Sequence, residues 1–273
     1  MRGKSFNIRL LIFIGCIAYL MQSLDAQPLD RWRAGSSKDL NGEVLSVYCF
    51  IETEDNAWSE AEKLRMTVAL NRAQQWITAQ ANKWDYAVCF KTLPLTVDNT
   101  FVINQIPAGN AVGNEKVSWA LEVLHRAGYR HAKQAFRKIR RAAGTKNMHL
   151  IIFAKSDGNS YAMRYTKAYS KKKYFLEALL LYQDYSNGAE MPLAAVIAHE
   201  ILHLYGGWDL YTTYAQTADR HFKAATLYPN DIMLRVGNDL ETLEVDVLTA
   251  WLLGWNTREE EIFEWFRPAD FSR

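Results

Sequence analysis

Three stretches carry the pattern of strands, the first apolar enough to be buried. Residues 44–51 (VLSVYCFI) are β-branched and apolar, residues 86–93 (YAVCFKTL) form a second such run, and residues 148–155 (MHLIIFAK) a third. Runs of this length, bounded by turn residues, predict strands, the first of them buried. Between the first two, apolar positions recur at helical spacing. A helix is expected over about 58–81, capped by Asn56, with Ala61, Leu64, Val68, Ala69, Ala73 and Trp76 on its packing face. Strand, helix, strand in this order implies parallel pairing through a right-handed crossover.

Helical pattern returns over residues 114–143, with a break expected at Gly128, and the turn signal 156–159 closes the third strand. Residues 161–165 and 175–182 can supply two more strands, separated by Lys171, Lys172 and Lys173. A helix over 191–205 has Pro192 in its first turn, where no amide donor is missed. Another helix, over 240–253, would pack through Leu243, Val247, Leu248, Trp251 and Leu252, and a short amphipathic helix closes the chain over 258–266. The expected fold class is α/β (α+β), a mainly parallel sheet with helices around it.

The first 26 residues change the picture at one end. Arg2, Lys4 and Arg9 precede an apolar core of twelve residues, 10–21, and the small Ala26 offers a cleavage point before Gln27, the pattern of a secretory signal. Twelve residues are too few to span a bilayer as a helix. Cys16 after Gly15 leaves a lipid-anchored form as the lesser alternative to a secreted or periplasmic protein. Residues 27–43 read as a loose lead-in, and 27–273 as a single domain of ordinary size.

Composition is that of a globular domain, 49% apolar and 23% charged, without repeats. The helical region 114–143 is strongly basic, yet aromatic interleaving is poor and the net charge is only +2, so a solvated face is expected and no nucleic-acid partner. Export permits a disulfide between Cys49 and Cys89, or two buried free thiols.

The chemistry is concentrated in HEILHLYGGWD, residues 199–209. His199 and His203, four apart on a helix, project from one face and can converge on one metal ion. Glu200 lies on the flank of that face, where it can act as a general base. Gly206 and Gly207 end the helix, and the turned chain can bring Asp209 back to the same point. Two nitrogens, one carboxylate oxygen and an open fourth position make a catalytic zinc site. The surrounding helix is so apolar that His and Glu within it need partners. A rival third ligand is a Glu from the later helix, Glu241 or Glu244.

The run fits HExxHxxGxxD and resembles the HExxHxxGxxH signature of the metzincin zinc peptidases, in the form found in snapalysin-type enzymes, where Asp replaces the third His. The resemblance implies a zincin-like catalytic domain: a twisted sheet with an antiparallel edge strand, an active-site helix, a methionine turn and a C-terminal helix. PNDIM, ending at Met233, lies at a suitable distance for that turn. The edge strand, which would pair with extended substrate, is either 161–165 or 175–182. The implied activity is a zinc-dependent endopeptidase with Glu200 as general base, acting on protein or peptide substrates. With the signal it is expected to be secreted, without stable membrane insertion, its oligomeric state open and a monomer favoured. Some metzincins carry a Tyr two residues after the Met. Here Arg235 stands there, leaving the role vacant or open to Tyr205, Tyr211 or Tyr228. That departure also admits a second class, a secreted binding module that keeps the zinc but has lost efficient catalysis.

Overall fold

The central strand β1 (Gly42–Glu52) is almost wholly buried, as its apolar sequence requires. In the computed structural model, residues 34–106, 115–165, 169–185, 187, 191, 193–213, 215–237 and 239–268 are described. The expected signal (1–26, with Cys16), lead-in residues 27–33 and Pro192 lie outside them. The chain continues through α1 (Glu60–Lys83), β2 (Val88–Pro94), β3 (Thr100–Val102), α2 (Glu115–Arg126), α3 (Ala132–Ala143), β4 (Met148–Asp157), β5 (Tyr161–Met163), α4 (Lys171–Tyr174), β6 (Ala178–Asp184) and α5 (Leu193–Leu204). Then follow α6 (Ala218–Leu227), a 3₁₀ turn Leu240–Thr242, α7 (Val247–Leu253) and α8 (Glu261–Trp265).

The strands form one mixed sheet in the order β2-β1-β4-β6-β5, with β3 also on β1 beyond the end of β2. β1 runs parallel to β2, β3 and β4, and β4 runs parallel to β6; β5 alone is antiparallel, pairing Tyr161 with Leu180 and Met163 with Ala178. Parallel pairing goes with burial on both faces. In β4 the residues from Met148 to Lys155 are all buried. The parallel crossover from β1 through α1 to β2 is as the sequence predicts, and the edge strand is the first of the two candidate segments.

Several expectations need correction. Helix α1 is capped by Ser59, in a reciprocal capping box with Glu62, and not by Asn56, whose amide instead reaches the Lys155 carbonyl. Its buried stripe is Met66, Leu70, Ala73, Ile77 and Ala81, while Leu64 and Val68 are exposed. Two stripes at helical spacing compete in this sequence, and the one facing the sheet wins. The expected helix over 240–253 is split, because Leu243–Asp246 is extended and Glu244 bridges to Asp231 before Asp246 caps α7. The break at Gly128 is present, at φ +81°. Cys49 and Cys89 are free thiols, the first buried and the second exposed. Cys89 lies opposite Glu43, six positions before Cys49 on β1, or roughly 20 Å along the strand, which no disulfide spans.

A buried polar chain ties the sheet to the C-terminal end of α5. Thr92 donates to the Gln74 amide oxygen (2.9 Å), the Gln74 amide nitrogen donates to Ser46 Oγ (2.9 Å), and Ser46 Oγ meets His149 Nε2 (2.8 Å). His149 Nδ1 in turn meets the Tyr205 hydroxyl at 3.1 Å. Ser46 and His149 are fully buried, and burial pushes the His149 imidazole down to about 3. This Ser–His pair therefore holds α5 in place and has no access to substrate. Among the described residues, no helix is long and apolar enough to cross a membrane.

Candidate metal centre

Helix α5 is buried along its whole length except at His203, because it packs on α1 on one side and meets β5 and β6 on the other. Within it the i, i+4 spacing sets the rings of His199 and His203 4.5 Å apart, centroid to centroid. Each ring is oriented by a backbone carbonyl. His199 Nδ1 lies 3.1 Å from the Ile232 carbonyl oxygen, and His203 Nδ1 lies 2.9 Å from that of Gly207. A carbonyl only accepts, so both rings carry their proton on Nδ1 and present a bare Nε2 in the neutral form.

Those two Nε2 atoms face one another at 3.0 Å. Asp209 Oδ1 completes the triangle, 3.3 Å from His199 Nε2 and 3.1 Å from His203 Nε2. It is buried and has no hydrogen-bond partner in acceptable geometry. Burial alone raises the Asp209 carboxyl; with His203 and His199 protonated, their charges and Nε2 donors hold it well below the usual carboxylate range, and with both rings neutral a cation must take that part. Three lone-pair atoms converging this closely repel unless a cation lies between them. A tetrahedral ion with ligands at about 2.0–2.1 Å has ligand-to-ligand edges of about 3.3 Å, close to all three separations. The donor set therefore fits a metal ion. Among the described residues these three are the His, Cys, Asp or Glu side chains that converge in this way. Glu241, the rival ligand, is exposed and paired with Arg72 instead, and Glu244 engages the 230–232 segment through its backbone.

The chain reaches Asp209 by leaving the helix at Gly206 (φ +114°), where a Cβ would stand 2.8 Å from the Leu252 carbonyl oxygen of α7. A side chain is excluded there both by conformation and by contact. Gly207 then returns an amide hydrogen bond to the Leu202 carbonyl at 3.0 Å.

The turn at 231–234 holds both halves of the centre. The Ile232 carbonyl orients His199, and the next carbonyl, that of Met233, accepts from the Leu210 amide at 2.9 Å and so fixes the residue after Asp209. Met233 is fully buried, with its Cε beside Gly207. The turn is braced by Asp231, a residue that sequence reasoning passed over. Its Oδ1 accepts from the Met233 amide (2.7 Å) and its Oδ2 from the Asp246 amide (2.9 Å). Burial pushes the Asp231 carboxyl up to about 7 against the pull of those donors. Its place in PNDIM was the available signal, read only as spacing for the methionine.

Beside the centre is a cleft of about 210 Å³. It is lined by Ser160, Tyr161 and Ala162, at and just before β5, together with Glu200, His203 and Asp209. Glu200 is buried yet lines the cleft. Of the three candidate tyrosines, Tyr211 alone lines this cleft; its ring lies nearly parallel to that of His199, 6.0 Å away. Tyr205 points to His149 and Asn147, and Tyr228 packs on Phe266. Arg235 is exposed and turned to the Pro229 carbonyl.

Neither the known family profiles nor the curated proteins give a match to this sequence. Among solved structures, the chain is similar to metalloproteinase-II from Bacteroides fragilis, with 11% identity and a TM-score of 0.38 over 81% of this chain and 55% of that one. It thus spans about half the length of that protein.

Proposed function

We propose that the protein is an exported zinc-dependent endopeptidase of the metzincin type, a single catalytic domain over residues 27–273, acting on protein or peptide substrates. The observation that carries this reading is the convergence of two bare imidazole nitrogens and an unbonded carboxylate oxygen beside a cleft that also holds a buried glutamate. His199, His203 and Asp209 would hold the metal, and two nitrogens with one carboxylate oxygen suit zinc among the catalytic metals. Bound there, zinc supplies a water of lowered pKa and a Lewis acid for the scissile carbonyl.

The chain's own residues do the rest. Glu200 accepts the proton of the attacking water on its carboxylate and delivers it to the nitrogen of the leaving amine. Tyr211 stays protonated, because burial first, and then the charges of Asp209 and Glu200, raise its phenol. Its hydroxyl is engaged by Asp209 and would turn from it to charge that develops on the carbonyl oxygen, the part left open by Arg235. β5 ends the strand order and borders the cleft, so an extended peptide laid antiparallel along it would bring its backbone past Glu200. Met233 floors the imidazoles with soft apolar contact and fixes Leu210 through its carbonyl.

The test is Glu200→Ala. Turnover of an unfolded protein substrate is expected to fall by at least about a hundredfold, the contribution of general base catalysis, with metal content unchanged. Full activity in that variant sinks the reading.

A further inference from the structure

The basic character of α3 is visible in the sequence, but the fold adds to it from two distant segments. The Lys133 ammonium lies 3.6 Å from the centroid of the Phe175 ring, that of Lys171 on α4 lies 5.2 Å from it, and that of Lys38 5.7 Å. Three cations from three parts of the chain thus gather around one aromatic face, which offsets only part of their repulsion. Arg137, Lys138, Arg140 and Arg141 on α3, with Lys172 and Lys173 on α4, extend this surface, and all six are exposed. Neither helix contains an acidic residue. Lys133 is depressed by burial and then by Lys171, Arg137, Lys38 and Arg140, and His131 by burial and then by Lys172, Arg130 and Arg137.

We propose that this face, formed by α3, α4 and Lys38, docks on an anionic lipid bilayer whose headgroup phosphates serve as counter-ions for its lysines and arginines. Charge complementarity is the first argument: concentrated Lys and Arg bind anionic membrane surfaces, each adding about a fivefold gain in affinity near the surface. The bordering aromatics are the second. Tyr174 is half-buried and Tyr169 exposed, and Tyr129 carries the Lys138 ammonium 5.7 Å from its ring, a Lys–Tyr mixture suited to the headgroup layer. The third is where the chain enters. The Ser36 amide donates to the Phe175 carbonyl at 3.0 Å, so the first described residues, with Lys38, lie against this ring. Docking is peripheral and reversible, and it does not depend on the peptidase reading, so Glu200→Ala is expected to leave it unaltered.

The experiment is co-sedimentation of the full chain with vesicles of pure phosphatidylcholine, or with about a third phosphatidylglycerol. The parent and two variants are compared. One combines Arg137→Gln, Arg140→Gln and Lys171→Gln, all at exposed positions; the control removes as much charge elsewhere through Lys83→Gln, Lys91→Gln and Lys223→Gln. The parent is expected to bind anionic vesicles well above neutral ones, with binding weakened by salt. The first variant should lose on the order of a hundredfold in affinity and the control should stay close to the parent. Equal binding to both vesicles, a first variant that binds as the parent does, or retention on duplex oligonucleotides without vesicle binding would each overturn the proposal.

Discussion

The residues of the candidate centre fall into two groups with different visibility. His199, Glu200, His203 and Asp209 are legible in the sequence because their chemistry is in their side chains and their spacing is local. The two groups that aim the histidines, the carbonyls of Ile232 and Gly207, carry no side-chain signature and appear only once the chain is folded. Tyr211 was one of three tyrosines on sequence grounds, and only the cleft singles it out. Away from the centre, Glu177 makes a prediction of its own. Its carboxylate accepts from the Ser37 and Tyr165 amides, yet burial pushes it up from 4.5 to about 7. A carboxyl raised in the folded state holds more protons than in the unfolded chain, so its contribution to stability is full below about 4.5 and is lost as pH rises through 7. The loss is on the order of 3 kcal/mol. Melting temperature should therefore be lower at pH 8 than at pH 5, and Glu177→Gln should narrow that difference, leaving the part that Asp231 contributes, even if it lowers both values. A parent that melts at the same temperature at both pH values would contradict the assignment.

At the scale of elements, long uniform patterns read correctly and local competition did not. The strands β1, β2 and β4 and the helix α5 lie where their patterns place them. For β1, β4 and α5 this is because continuous apolar runs have one stable environment, whereas β2 is mostly exposed and is held by its pairing on β1. α1 is the instructive failure, since both Leu64 with Val68 and Met66 with Leu70 recur at helical spacing. The choice between them is made by the sheet together with α5, a partner that is remote in sequence. The consequence is measurable by chemical denaturation. Leu70→Ala removes a fully buried side chain and should cost about 2–5 kcal/mol, whereas Leu64→Ala, at 62% exposure, should stay within about 0.5 kcal/mol. Equal costs would mean that the other stripe faces the sheet. The short elements β3, α4 and α6 went unread because three to ten residues carry little periodicity, and α7 was merged with its 3₁₀ turn because Asp246 reads as one more helix residue until its amide is seen on Asp231.

For the molecule as a whole, the mainly parallel sheet with one antiparallel edge strand follows from the order of patterns along the chain, whereas the centre depends on three distant pieces meeting: α5, the residues just after it, and the 231–234 turn braced from α7. The central claim is that these pieces are assembled around a metal held by His199, His203 and Asp209. Its most direct test is metal content under native mass spectrometry, with the parent and Asp209→Ala measured side by side. About one zinc per chain in the parent, lost or at least tenfold weaker against a chelator in the variant, is the result expected when one of three protein ligands is removed. Undiminished zinc in Asp209→Ala, or no metal in the parent even after zinc is supplied, would contradict it.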